Sequence, residues 1–139
     1  MSQQTIFGPL LSMMCLTIVV WLYMYSRRLP FIIKSRLNAE QLTPLELARL
    51  SPPAVANPSD NLKNLFEIPT LFYALALYLF ITGRVDDMYL VAAWTFVGFR
   101  VLHSIVHCTV NIVPLRFGLY VISTIALWLM IGRAATGAL

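Results

Sequence analysis

The stretch MYLVAAWTFVGFRVLHSIVHC, residues 88–108, decides how this chain folds. As a helix it is long enough to cross a hydrocarbon core of ~30 Å. Its only charged residues or histidines are Arg100, His103 and His107. Their spacing of i, i+3 and i+7 gathers them on one helix face. An apolar segment with a single polar face reads as a membrane span that turns that face inward, because ionisable groups at membrane depth are costly.

Three more runs of the same kind flank it. Residues 6–25 carry no charge, residues 65–82 carry only Glu67, and residues 115–131 carry only Arg116. The composition agrees: 59% of the 139 residues are apolar, and only 12% are charged. A soluble domain carries about 25% charged residues. An ordinary cytosolic enzyme and a disordered chain are excluded. Cys15 and Cys108 both lie in apolar runs, so no disulfide scaffold is indicated. A scattered net charge of +4 gives no nucleic-acid footprint. The run at 6–25 lacks a basic flank before it and a small-x-small site after it, which marks a retained span rather than a cleaved signal.

The expected organisation is a single all-α membrane domain with spans at 6–25, 65–82, 88–108 and 115–131 and a basic loop at 26–62. Within that loop, Thr43-Pro44-Leu45-Glu46 reads as a capping box with proline at the first helical position. It predicts a short helix that ends near Leu50, before Pro52-Pro53. Residues 54–60 read as turn-rich, with Ser59 or Asp60 available to cap the second span. The loop holds Arg27, Arg28, Lys34, Arg36 and Arg49, with Lys63 at its edge. The other connections are far poorer in basic residues. By the positive-inside rule the loop is cytoplasmic and both termini lie on the opposite side.

This orientation places Glu67, Arg100, His103, His107 and Arg116 in one leaflet. Asn64 and Glu67 share a helix face, as do Arg116 and Tyr120. Three polar faces at one depth can enclose a polar pocket. Plainer assignments exist for each group. Glu67 and Arg100 could form a buried ion pair that fixes helix register. His103 and His107 could be interior histidines bonded to backbone or to Ser104. As an i, i+4 pair they could also hold a metal with Glu67 as third ligand, but no HExxH sequence is present and no metal site is assigned. Arg116 could snorkel to the interface, and Arg27, Arg28 and Lys63 could anchor lipid headgroups.

These motifs resemble the membrane-associated proteins of eicosanoid and glutathione metabolism, the MAPEG superfamily. Asn64-Leu65-Phe66-Glu67 is similar to the Asn-x-x-Glu of its second helix. Arg100-Val101-Leu102-His103 is similar to the Arg-Val-x-His of its prostaglandin E synthase branch. Pro114, Arg116 and Tyr120 follow at that branch's offsets. The match extends further to a bacterial branch with an Asn-Leu-Phe-Glu-x-Pro motif. The resemblance implies a homotrimeric four-helix bundle in a bacterial inner membrane. Glutathione would lie near the cytoplasmic side, surrounded by Arg27, Arg28, Lys63, Asn64, Glu67, Arg100, His103, His107 and Tyr120. Arg116 would stabilise its thiolate.

The chemistry suits those residue types. Glutathione carries two carboxylates for Arg and Lys, an ammonium for Glu67, and a thiol that a close guanidinium favours as thiolate. A transferase or peroxidase acting on a lipophilic small molecule or lipid is the implied activity. A non-catalytic lipid-binding or scaffold protein is the implied alternative. There are departures from the pattern. His107 replaces a tyrosine, Phe117 a serine and Lys63 an arginine, and Pro69 follows Glu67 by two residues rather than three or four.

Overall fold

A computed structural model describes residues 2–38, 40 and 42–137. A 3-10 turn, Gln3–Ile6, leads into α1, Phe7–Lys34. There follow α2 (Pro44–Leu50), α3 (Pro53–Leu65), α4 (Ile68–Ile81), α5 (Asp87–Cys108) and α6 (Val113–Thr136). Four segments are long and apolar enough to cross a membrane: Gln3–Lys34, Pro53–Ile81, Asp87–Cys108 and Val113–Thr136. Among the described residues there is no strand. The fold is the expected all-α four-span bundle.

Local chemistry explains the helix ends. The capping box of α2 forms as predicted: Thr43 Oγ1 accepts from the Glu46 amide at 3.2 Å, and Glu46 Oε2 accepts from the Thr43 amide at 3.1 Å. Asp86 caps α5 by accepting from the Tyr89 amide at 3.0 Å. Gly83 closes α4 with φ +66°, a conformation glycine adopts without a Cβ penalty. Its amide bonds to Phe80 O and the next amide, of Arg84, to Leu79 O, the paired bonds of a Schellman end.

The connection at 26–62 differs from expectation. Helix α1 continues nine residues past Tyr25, to Lys34, so Arg27 and Arg28 stand on a helix rather than in a loop. With its 3-10 lead this span has 32 residues, or about 48 Å at 1.5 Å per residue. That exceeds the ~30 Å hydrocarbon core, so the helix is long enough to cross it with tilt or with turns to spare. Residues 54–60 are helical rather than turn-rich, because Pro52 is extended and Pro53 presets the first turn of α3. Ser59 and Asp60 therefore lie inside α3 and cap nothing. The second span starts at Pro53 and breaks at Phe66–Glu67. Pro69 has no amide to offer the Leu65 carbonyl and its ring clashes with it, so the ladder is cut there. Glu67 occupies the break as the residue before α4.

The core is where the four spans meet. Met13 of α1, Phe72 of α4, Phe96 of α5 and Leu127 of α6 belong to one cluster and are fully buried. Phe72 and Phe96 stack with centroids 4.6 Å apart. The outer surface is apolar, with Ile18, Val19, Leu22, Ile81, Met88 and Leu129 all exposed, as lipid contact requires.

The 3-10 turn and the last turn of α6 both bond to the α4–α5 turn. The Gln3 side-chain amide bonds both ways to the Val85 backbone, at 2.7 and 3.2 Å. Arg133 grips both Asp86 oxygens at 2.7 and 2.6 Å. Hydrogen bonds from that guanidinium, and then from the Tyr89 amide, hold the Asp86 carboxyl at about 2. A carboxylate depressed in the folded state contributes stability that is full above its unfolded value near 3.9 and is lost as pH falls through about 2. The melting-temperature difference between wild type and Asp86→Asn should therefore be constant down to about pH 4 and vanish towards pH 2. Asparagine retains the helix cap, so the comparison isolates the charge. The pair is partly exposed, and the effect is correspondingly small.

Candidate functional site

The inward face of α5 carries Arg100, His103, Ser104 and His107, all at most 3% exposed. Asn61 of α3, fully buried, faces them and accepts from Ser104 Oγ at 3.4 Å. Its amide donates to Cys108 Sγ, also at 3.4 Å. Helix α6 supplies the third wall with Arg116, Tyr120 and Thr124. The Arg100 guanidinium lies 4.6 Å from the Tyr120 ring and 5.3 Å from that of Phe96, and Nη2 donates to Thr124 Oγ1 at 3.4 Å.

His103 Nδ1 is 2.8 Å from the Arg116 carbonyl oxygen. A carbonyl only accepts, so Nδ1 carries the proton and, in the neutral ring, Nε2 is left as an acceptor. That Nε2, with His107 Nδ1 and with Arg100 Nε and Nη1, is buried without a protein partner. The rings of His103 and His107 meet edge to face at 5.5 Å. Unpaired polar atoms this deep call for water or a polar ligand.

Arg116 stands at the edge of this cluster, half-buried. Its Nη1 donates to Asn111 Oδ1, and Asn111 Nδ2 donates to Asn57 Oδ1 at 3.1 Å. A guanidinium so held can address an anionic sulfur from one side.

The other expected residues are placed differently. Arg28 donates to Ser59 Oγ at 2.6 Å, and its Nε is buried without a partner. With Lys63, Leu47 and Val55 it lines a cleft of about 260 Å³ between α1, α2 and α3. Lys63 pairs with Asp60 at 3.0 Å on the surface. Arg27 is exposed and lies 5.2 Å from the Tyr23 ring centroid. Asn64 is half-buried and Glu67 exposed. Among the described residues the ion pairs are Lys63–Asp60 and Arg133–Asp86, so the Glu67–Arg100 pair is not made. No three His, Cys, Asp or Glu side chains converge among the described residues.

The structure thus joins Arg100, His103, His107, Arg116 and Tyr120 and separates them from the exposed Arg27 and Glu67. Sequence reasoning missed Asn57, Asn61, Asn111 and Thr124. The spacing of Asn57, Asn61 and Asn64, i, i+4 and i+7, is a helix face, but it becomes visible only once 54–60 is read as helix.

The fold and the polar cluster define a four-span integral membrane protein with a buried cationic site. The MAPEG family profile matches residues 6–136. The chain belongs to the MAPEG family, a membrane family associated with glutathione. A search of curated proteins and a search of solved structures each returned no match.

The residues present suit glutathione in their chemistry. Arg28, Lys63 and Arg116 carry the cationic groups that pair with anions, whereas Glu67 is exposed and stands apart from the Arg116 cluster. Arg100 is fully buried, with its guanidinium 4.6 Å from the Tyr120 ring.

Proposed function

We propose that this chain is a glutathione transferase or peroxidase of the membrane that acts on a lipophilic electrophile. The observation that carries the reading is Arg116, a guanidinium held at the rim of a buried polar cluster by Asn111. There it stabilises the thiolate against its proton, which leaves to water, and keeps the sulfur nucleophilic. In conjugation a sulfur–carbon bond forms and the leaving group departs with its electron pair.

Membrane residence supports a lipophilic acceptor. An apolar groove of about 440 Å³ lies between α1 and α4, lined by Leu10, Met14, Ile18, Phe66, Tyr73 and Leu77. A homotrimer with the basic end of α1 in the cytoplasm and both termini outside, in a bacterial inner membrane, fits the charge bias and the family pattern. A non-catalytic lipid-binding role is the second reading, favoured by that same groove.

The test is purified protein in lipid nanodiscs with glutathione, S-hexylglutathione and 1-chloro-2,4-dinitrobenzene. The expected result is a melting temperature raised by glutathione and by its S-hexyl thioether, with conjugate formed in the presence of glutathione. Stabilisation by lipid but by neither peptide, without conjugate, overturns the first reading and supports the second.

A further inference from the structure

Asn111 lies in the turn between α5 and α6 with φ +47°. This left-handed conformation is uncommon outside glycine, and asparagine is one of the residues that tolerates it. Two features make it more than a turn residue. Its amide donates to Val106 O at 2.7 Å, which fixes the backbone to the end of α5. Its side chain then uses both ends: Oδ1 accepts from Arg116 Nη1, and Nδ2 donates to Asn57 Oδ1. The amide is thereby oriented by α3, and the guanidinium by the amide. Three elements, α3, the α5–α6 turn and α6, meet in one hydrogen-bonded line that ends on Arg116. His103 closes the same corner from the other side by donating to the Arg116 carbonyl.

An arginine side chain has many rotamers to lose when it is held in place. A guanidinium at a pocket rim would otherwise sample water and headgroups. Here much of that freedom is already lost in the folded chain, before any ligand arrives. We infer that Asn111 and Asn57 are positioning residues that pre-aim Arg116, and that Asn111 is chosen over glycine in this left-handed turn for its side chain. The inference rests on the reading of Arg116 as the thiolate-stabilising group, but the placement of Arg116 can be tested apart from it.

The variant Asn111→Gly keeps the backbone conformation and removes both side-chain bonds. Asn57→Ala removes only the anchor, and Asn57→Asp retains an acceptor for the Asn111 amide. The first readout needs no glutathione: the rate at which phenylglyoxal modifies Arg116, followed by peptide mass spectrometry. It is expected to rise severalfold in Asn111→Gly, less in Asn57→Ala, and to stay near wild type in Asn57→Asp. The second is an ultraviolet titration of the thiolate of bound glutathione, whose midpoint should rise by about one pH unit in Asn111→Gly. In turnover, kcat should fall about tenfold with KM for glutathione within about twofold.

Unchanged Arg116 modification in Asn111→Gly overturns the inference. So does a lowered melting temperature with an unmoved thiolate midpoint, which is the signature of a merely structural residue. If the wild-type chain forms no thiolate while the modification rates shift as expected, the thiolate reading of Arg116 fails and its placement by Asn111 stands.

Discussion

Replacing Arg116 with alanine is expected to lower glutathione-dependent turnover by about 10²- to 10³-fold, the usual loss when one preorganised donor is removed from a developing anion. The protein should still fold, because Arg116 is half-buried and, among the described residues, its side chain bonds only to a turn residue. Its carbonyl, which holds His103, is backbone and survives the substitution. If Arg28 and Lys63 hold the glutathione carboxylates, affinity for glutathione should fall much less than kcat. Arg116→Lys keeps the charge but offers a point donor in place of a fork, and an intermediate loss is expected. Steady-state kinetics in nanodiscs check this. Turnover of Arg116→Ala within about threefold of wild type would sink the assignment of Arg116, because a charge that matters to the thiolate cannot be so cheaply removed.

The second large effect is expected on stability, from Phe72→Ala. Phe72 is fully buried and stacked on Phe96, at the meeting point of the four spans. In a soluble protein such a change costs about 3–5 kcal/mol, as lost transfer energy plus a cavity. In a bilayer the separated helices remain in lipid, which is as apolar as the core, so the transfer contribution largely disappears. What remains is packing: roughly 100 Å³ of lost side chain at about 24 cal/mol per Å³ gives about 2.4 kcal/mol. Phe72→Leu should cost well under half of that. Reversible unfolding in mixed micelles measures both. A loss for Phe72→Ala near 5 kcal/mol would mean that water enters the cavity or the reference state. A loss near zero would mean that α4 and α5 close the gap by moving together.

Much of this architecture was legible because its signals are local. Four apolar runs, the capping box at Thr43 and the one-faced spacing of Arg100, His103 and His107 each depend on neighbours in sequence, and each appears as read. The misreadings arose where tertiary context overrode local composition. Pro52-Pro53 and Asn57-Pro58-Ser59-Asp60 look like a turn, yet Pro53 starts a helix and Pro58 is carried inside it against α1. Arg27 and Arg28 look like loop anchors, yet α1 runs past them. The site was half legible for the same reason. Side chains on α5 could be phased from their own spacing, but Asn111 reaching both Arg116 and Asn57 is a matter of how α3 and α6 cross the end of α5. Glu67 shows the converse. Its facing depended on the break at Phe66–Glu67, which leaves it exposed.

That break has a mechanical meaning. The second span is two rods joined by a short link in which the hydrogen-bond ladder is cut. The upper rod, α3, holds the polar cluster through Asn57 and Asn61, while the lower rod, α4, is seated in the aromatic core through Phe72. The polar cluster and the aromatic core thus draw on different rods of one span, as a door and its frame meet at a hinge, so substitutions at Asn57 and Asn61 act on one rod and a substitution at Phe72 on the other.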